Sequence, residues 1–198
     1  MKPKTALEKL KKLLSAMSFT SKEAKACGVS SEMLAYYVRI GDIERLGRGL
    51  YRGIRAPTMI SFQWEDLVVA VRNTEDGVIC LTSALALYEL TDEIPRQHWI
   101  AIRHGTRHQA NASVKVVRMR NYTLGKTSID IEGTAVPIFD KERTILDAFR
   151  YLSKETALKA LRTSLQQPLA KRIDIEKLRT YAKKMRVNIE SYLLAMTL

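Results

Sequence analysis

The chain has 198 residues, 46% of them hydrophobic, which suits one or two globular domains and argues against extended disorder. A formal net charge of +12 and a pI near 9.8 favour a phosphate-bearing partner, and the excess is uneven: residues 1–56 carry +7 and residues 57–198 carry +5. The two cysteines, Cys27 and Cys80, imply neither a disulfide framework nor a metal site, and no apolar run approaches the ~20 residues of a membrane span.

The start, MKPKTALEKLKKLL, reads as an amphipathic helix rather than a signal sequence, so a cytoplasmic protein with no membrane partner is expected. Leu7, Leu10, Leu14 and Met17 recur at helical spacing and predict a first helix over 5–17. Thr20 and Glu23 have capping-box spacing and open a short second helix ending near Cys27. Gly28 supplies a positive φ, Val29 a core plug, and Ser30 the cap of a third helix over 31–40. Within it Leu34, Tyr37 and Val38 point inward, leaving Ser31, Glu32, Ala35, Tyr36 and Arg39 on an outer face; Gly41 ends it. Residues 42–46 and 50–52, around the tip Gly47-Arg48-Gly49, then predict a hairpin. A helix-turn-helix followed at once by a basic hairpin is the sequence plan of a winged helix.

In such a module the third helix inserts its N-terminal end into the major groove, about 12 Å wide in B-DNA, while other elements grip the backbone. That makes Thr20, Ser30, Ser31, Glu32, Tyr36 and Arg39 the candidate DNA-binding residues of the helices, with Ser30, Ser31 and Glu32 nearest bases or phosphates. Arg45, Arg48 and Arg52 are the candidates of the wing, with Arg55 close behind, and should give salt-sensitive affinity of low sequence specificity.

Pro57 marks the linker between a DNA-binding domain over 1–56 and a second domain over 57–198. Phe62, Leu67, Val68 and Val71 predict a helix over 61–72, and Val78–Leu81 leads into another over Ser83–Leu90. Strand-like segments follow at 99–103, 114–119, 127–131 and 135–139, and the rest from Lys141 reads as helical with breaks near Ser153, Pro168 and Val187. The expected fold class is α+β: an N-terminal winged helix-turn-helix, then a mixed α/β domain with a small sheet and C-terminal helices.

Few residues of the second domain suggest chemistry. Gly125-Lys126-Thr127 lacks the upstream glycine of a phosphate loop and reads as a turn between strands. His98, His104 and His108, with Arg103 and Arg107, form a basic cluster without cysteines or enough acidic neighbours for zinc. Asp130 and Glu132 alternate on one strand face, and Asp140-Lys141-Glu142 opens a helix; a nuclease would need such carboxylates to converge on a metal ion. Solvated strand charges and an acidic helix start account for them more simply. Arg143 and Asp147, four apart, read as a structural ion pair. No enzyme activity, cofactor or metal is expected.

The stretches Phe19–Ala24, Gly28–Ser30, Tyr36–Arg39 and Gly41–Tyr51 together resemble the AbiEi family of bacterial antitoxins and related regulators, the match covering about residues 5–55. Leu81–Leu90 and Phe139–Ala148 are similar, less specifically, to that family's C-terminal domain. The resemblance implies a repressor that binds inverted repeats in its own promoter. It also implies a C-terminal domain counteracting a nucleotidyltransferase-like toxin encoded beside it. The alternative is a DNA-binding protein with a nuclease-like C-terminal domain.

Overall fold

A computed structural model describes residues 6–16, 18–47, 49–56, 62–107 and 112–197, the side chains of Ala6, Phe62, Gln63 and Thr197 aside. Met17, Arg48, Pro57, His108 and the side chain of Phe62, all used in the reading above, lie outside the described residues. The chain divides into two compact units, one running through Glu75 and including Ile129–Val136, the other comprising Asp76–Ser128 and Pro137–Leu198.

The first unit opens with helix α1 (Ala6–Leu14), whose Leu10 is buried and whose Leu7 and Leu14 pack beside it. Strand β1 (Phe19–Thr20) leads directly into α2 (Ser21–Ala26), and Thr20 serves both elements. Its hydroxyl accepts from the Glu23 N–H at 3.2 Å, while the Glu23 carboxylate accepts from the Thr20 N–H at 2.6 Å, so the expected capping box is complete. Helix α3 (Ser31–Ile40) starts at the Ser30 cap and ends where Gly41 takes φ +81, the left-handed conformation that a glycine adopts without a Cβ clash. Strands β2 (Ile43–Gly47) and β3 (Leu50–Gly53) form the hairpin.

The sequence offered no sign of β1, yet it completes the sheet. The strand order is β1-β3-β2, with Phe19 opposite Tyr51 and Thr20 opposite Leu50, and the Phe19 and Tyr51 rings stack at 5.9 Å. Their rings join Leu10, Val29, Leu34 and Ile43 in one core. At Gly53 a Cβ would lie 2.6 Å from the Leu14 carbonyl oxygen, so only glycine lets β3 pass the end of α1. Helix α4 (Phe62–Asn73) completes this unit: Arg72 donates to the Ser18 carbonyl at 3.0 Å and pairs with Glu23 at 2.5 Å.

A mixed five-stranded sheet has the order β6-β5-β4-β8-β7, from β4 (Val78–Ile79), β5 (His98–Arg103), β6 (Val114–Met119), β7 (Lys126–Ile131) and β8 (Thr134–Phe139), and all of it but Ile129–Ile131 and Thr134–Val136 belongs to the second unit. Val78-Ile79, read above only as a lead-in to a helix, is the central strand, antiparallel to β5 and parallel to β8. Helix α5 runs over Leu81–Leu87 instead of Ser83–Leu90, and the Ser83 hydroxyl accepts the Trp99 N–H at 2.9 Å, joining the helix to the sheet. Helices α6 (Lys141–Tyr151), α7 (Lys154–Gln166), α8 (Ile175–Met185) and α9 (Glu190–Thr197) follow, with the breaks near Ser153, Pro168 and Val187 where the sequence put them.

One expectation fails at the β7–β8 connection. Glu132 is not on a strand face with Asp130: Glu132 (φ +47) and Gly133 (φ +83) make a two-residue turn, and Asp130 accepts the Gly133 N–H at 2.9 Å. Consecutive positive φ angles end the alternation there, so the two carboxylates serve a turn.

Helix α6 packs against α5, α7 and α8, and is buried continuously from Glu142 to Ala148. The Arg143–Asp147 ion pair therefore lies inside the unit, at 2.7 Å with side-chain exposures of 1% and 0%. Arg143 also donates to the carbonyls of Asn121 at 2.8 Å and Leu124 at 3.2 Å, which satisfies most of its fork. Burial pushes the Asp147 carboxyl above its ordinary pKa in spite of the opposing Arg143 charge, and its Oδ1 has no hydrogen-bond partner among the described residues.

Two outcomes follow from these contacts. Asp147→Ala strands a buried guanidinium and should destabilise the second unit by roughly 3–5 kcal/mol in urea unfolding, whereas Arg143→Met/Asp147→Leu should recover much of that loss. At Glu23, burial alone would raise the carboxyl, but the Thr20 N–H and hydroxyl and the Arg72 guanidinium outweigh it and hold the pKa below the ordinary 4.5. That depressed value stabilises the fold above pH 4.5 and is lost as pH falls through the folded pKa. Glu23→Gln should therefore melt below the wild type at pH 7, with the gap closing in acid; a pH-independent gap would overturn the assignment.

Candidate nucleic-acid interface

The outer face of α3 is formed as its spacing predicts. Ser31, Glu32, Ala35, Tyr36 and Arg39 are all exposed, while Leu34 and Tyr37 are buried and Val38 is partly so. Ser30 sits at the helix start with its hydroxyl accepting the Met33 N–H at 3.3 Å, which leaves the neighbouring Ser31 hydroxyl facing solvent. The free amides of such a helix start favour an anion. Glu32 opposes that: the Ser30 hydroxyl first and its own backbone N–H second hold its carboxyl below the usual carboxylate range. An ionised carboxylate suits a base amine, such as cytosine N4, better than a phosphate.

Farther along, Tyr36 is 44% exposed and set edge-on against the buried Tyr37, ring centroids 5.4 Å apart, so its direction is fixed from below. The Arg39 guanidinium lies 5.6 Å from the Tyr36 centroid, a cation–π arrangement that holds a long side chain along the exposed face. Met33 and Ile40, not singled out from the sequence, are also exposed on this helix. Their apolar character hid them, because an apolar residue in a helix reads by default as core.

The wing residues divide. Arg45 is exposed, makes one local bond from Nε to the Gly47 carbonyl at 3.1 Å, and meets no carboxylate among the described residues. Arg55 is exposed as well. Arg48 lies outside the described residues. Arg52 is different: directly across the hairpin from Glu44, it pairs with that carboxylate at 2.8 Å and also with Glu65 on α4, and its side chain is only 26% exposed. The Glu44 hydrogen bond, opposed by partial burial and helped by the charge of Glu65, raises the Arg52 pKa further. Its guanidinium fastens the root of the wing. Thr20 is likewise committed, to the α2 cap, so the structure brings Ser31, Glu32, Tyr36 and Arg39 together on one exposed face and turns Thr20 and Arg52 to structural duty.

The wing is braced against the helix pair at one further point: the Ser21 N–H, first in α2, donates to the Gly49 carbonyl at 2.8 Å. Helix-turn-helix and hairpin are thereby one body around the β1–β3 pairing.

The carboxylates considered for catalysis do not assemble. Asp140 caps α6, and Asp140 and Glu142 share Lys177 at 3.1 and 3.0 Å. Among the described residues no three His, Cys, Asp or Glu side chains come together as a metal site, and no helix is long and apolar enough to cross a membrane.

Residues 8–52 match a family model described as "Transcriptional regulator, AbiEi antitoxin", and no curated protein matches the chain. Among solved structures, the crystal structure of RV2827C protein from Mycobacterium tuberculosis is similar, with a TM-score of 0.54 over 91% of this chain and 72% of that one. At 14% identity that likeness shows a shared fold and nothing more. The segment that builds the winged helix, residues 8–52, is thus similar to the AbiEi family of antitoxin transcriptional regulators.

Proposed function

We propose that this protein is a DNA-binding antitoxin that represses its own operon, reading inverted repeats in its promoter through α3 and holding the backbone through the wing. The observation that supports it most directly is the solvent-facing row Ser31, Glu32, Tyr36 and Arg39 on the third helix of a family-matched winged helix. Ser31 and Ser30 suit phosphate at the helix start, while Glu32, Tyr36 and Arg39 suit base edges along the groove. Arg45 and, at the tip, Arg48 supply the cationic grip.

The division of labour follows the charge distribution. Residues 1–56, with more than half the positive excess, bind duplex DNA; residues 57–198 counteract a nucleotidyltransferase-like toxin encoded beside the gene, without catalysis or a cofactor of their own. The protein works in the cytoplasm, where both partners are. The test of the toxin role is growth: expression of the neighbouring gene alone should arrest cells, and co-expression of this chain should restore them. No rescue would overturn it.

For the DNA role, a mobility-shift titration on the DNA upstream of the gene, beside a scrambled duplex at two salt concentrations, should show a preference that survives the higher salt. Equal, salt-labile binding to both would overturn it. Arg45→Ala and Arg48→Ala should each weaken binding to every duplex and reduce the salt slope by about 1. Ser31→Ala or Tyr36→Ala should instead alter the preference among sequences. Arg52→Ala should leave the salt slope unchanged and lower the melting temperature, since its guanidinium is spent on Glu44 and Glu65.

A further inference from the structure

The second unit has its own concentration of positive charge. A pocket of about 460 Å³ is lined by His104, Arg118, Arg120, Arg150, Lys184 and Arg186, and no acidic side chain is among the described residues lining it. Arg143 reaches its floor, but that guanidinium is already held by Asp147 and two carbonyls. Among the described residues no carboxylate makes an ion pair with Arg118, Arg120, Arg150, Lys184 or Arg186, in contrast to Lys177 and Arg179 on α8, which are paired.

Local structure explains some of these charges. Arg150 and Lys184 stand in the last turns of α6 and α8, where helix carbonyls favour a cation, and Arg118 lies on β6, at one edge of the sheet, where charge discourages further pairing. Nothing local explains the rest. Arg120 follows the end of β6 and His104 the end of β5. Arg186 ends α8 in the left-handed conformation at φ +54, a position where glycine is the unstrained choice. A guanidinium is thus kept at the rim at the cost of backbone strain.

The remaining wall is of another kind. Met119 and Met185 are buried and apolar, and Tyr151 presents an exposed ring with the Arg150 guanidinium 5.5 Å from its centroid. Cations around a concave volume within the size range of small-ligand sites, with an aromatic face beside them, make a site for phosphate joined to a planar ring. A duplex, being convex and wide, is the poorer fit.

We propose that this pocket binds a free nucleoside polyphosphate, its phosphates taken by Arg118, Arg120, Lys184 and Arg186 and its base stacked on Tyr151. The phosphorylated end of a single strand shares that chemistry, so the test separates the two sources. Calorimetric titration of the full chain with ATP, tripolyphosphate and adenosine should give binding in that order, with adenosine negligible. Arg118→Gln/Arg120→Gln and Lys184→Gln/Arg186→Gly should each weaken ATP at least tenfold with thermal melting retained; the second pair also relieves the strained φ. Tyr151→Ala should weaken ATP about tenfold, the scale of one base–aromatic stack, and leave tripolyphosphate unchanged.

Absence of ATP binding, or ATP affinity unmoved by both double variants, would overturn the proposal. So would tighter binding of a 5′-phosphorylated ten-nucleotide strand than of ATP, which would make nucleic acid the occupant, or loss of upstream-duplex affinity in the double variants without ATP binding. Arg45→Ala, which should lose duplex affinity and keep ATP affinity, separates failure here from failure of the repressor reading.

Discussion

The winged helix depends on two residues that pair with two others. Phe19 and Thr20 lie against Tyr51 and Leu50, and through that short ladder the hairpin, the helix pair and α1 share one core. Thr20 is the pivot, because its backbone belongs to a strand while its side chain begins α2. A strand residue in extended conformation already has the geometry an N-cap requires, so one residue meets both demands without strain. The Ser21 N–H then reaches the Gly49 carbonyl, and the angle between the helices and the wing is set within three consecutive residues.

Around that junction the charges sort by task. Glu23 and Glu65 draw Arg72 and Arg52 inward to bind α4 to the winged helix, whereas Arg39 and Arg45 pair with no carboxylate among the described residues. The placement of the acidic residues decides which cations of the first unit are structural. In the second unit Asp147 does the same for Arg143, which becomes a core residue in all but chemistry.

Features whose signal is local were legible in the sequence. Thr20 and Glu23 announce a cap because both partners lie within one turn, and the outer face of α3 follows from the 3.6-residue period alone. The arginine at 52 was read as a ligand for DNA because its position in a basic hairpin says nothing of Glu65, thirteen residues on and in helix α4. Strand β1 was invisible for a different reason: two residues carry no alternation, and only the partner strand makes them a strand. Glu132 misled because glutamate seldom takes positive φ, so the Glu132-Gly133 turn lacks the Asn-Gly or Asp-Gly signature of its type. Of the basic pocket only His104 stood out in the sequence, since its cations come from four separate segments of chain.

The bracing of the wing also bears on how much its length can vary. The hairpin is held at its root by Arg52, the β1–β3 ladder and the close passage of Gly53 beside Leu14, and toward its tip by the Ser21 N–H on the Gly49 carbonyl. Gly47 is closely approached as well, since a Cβ there would lie 2.4 Å from the Asn73 side chain. A longer or bulkier chain at Gly47 or Gly49 would therefore disturb the seats of α4 and α2, so the two glycines fix the length of the wing as firmly as Gly53 fixes its root.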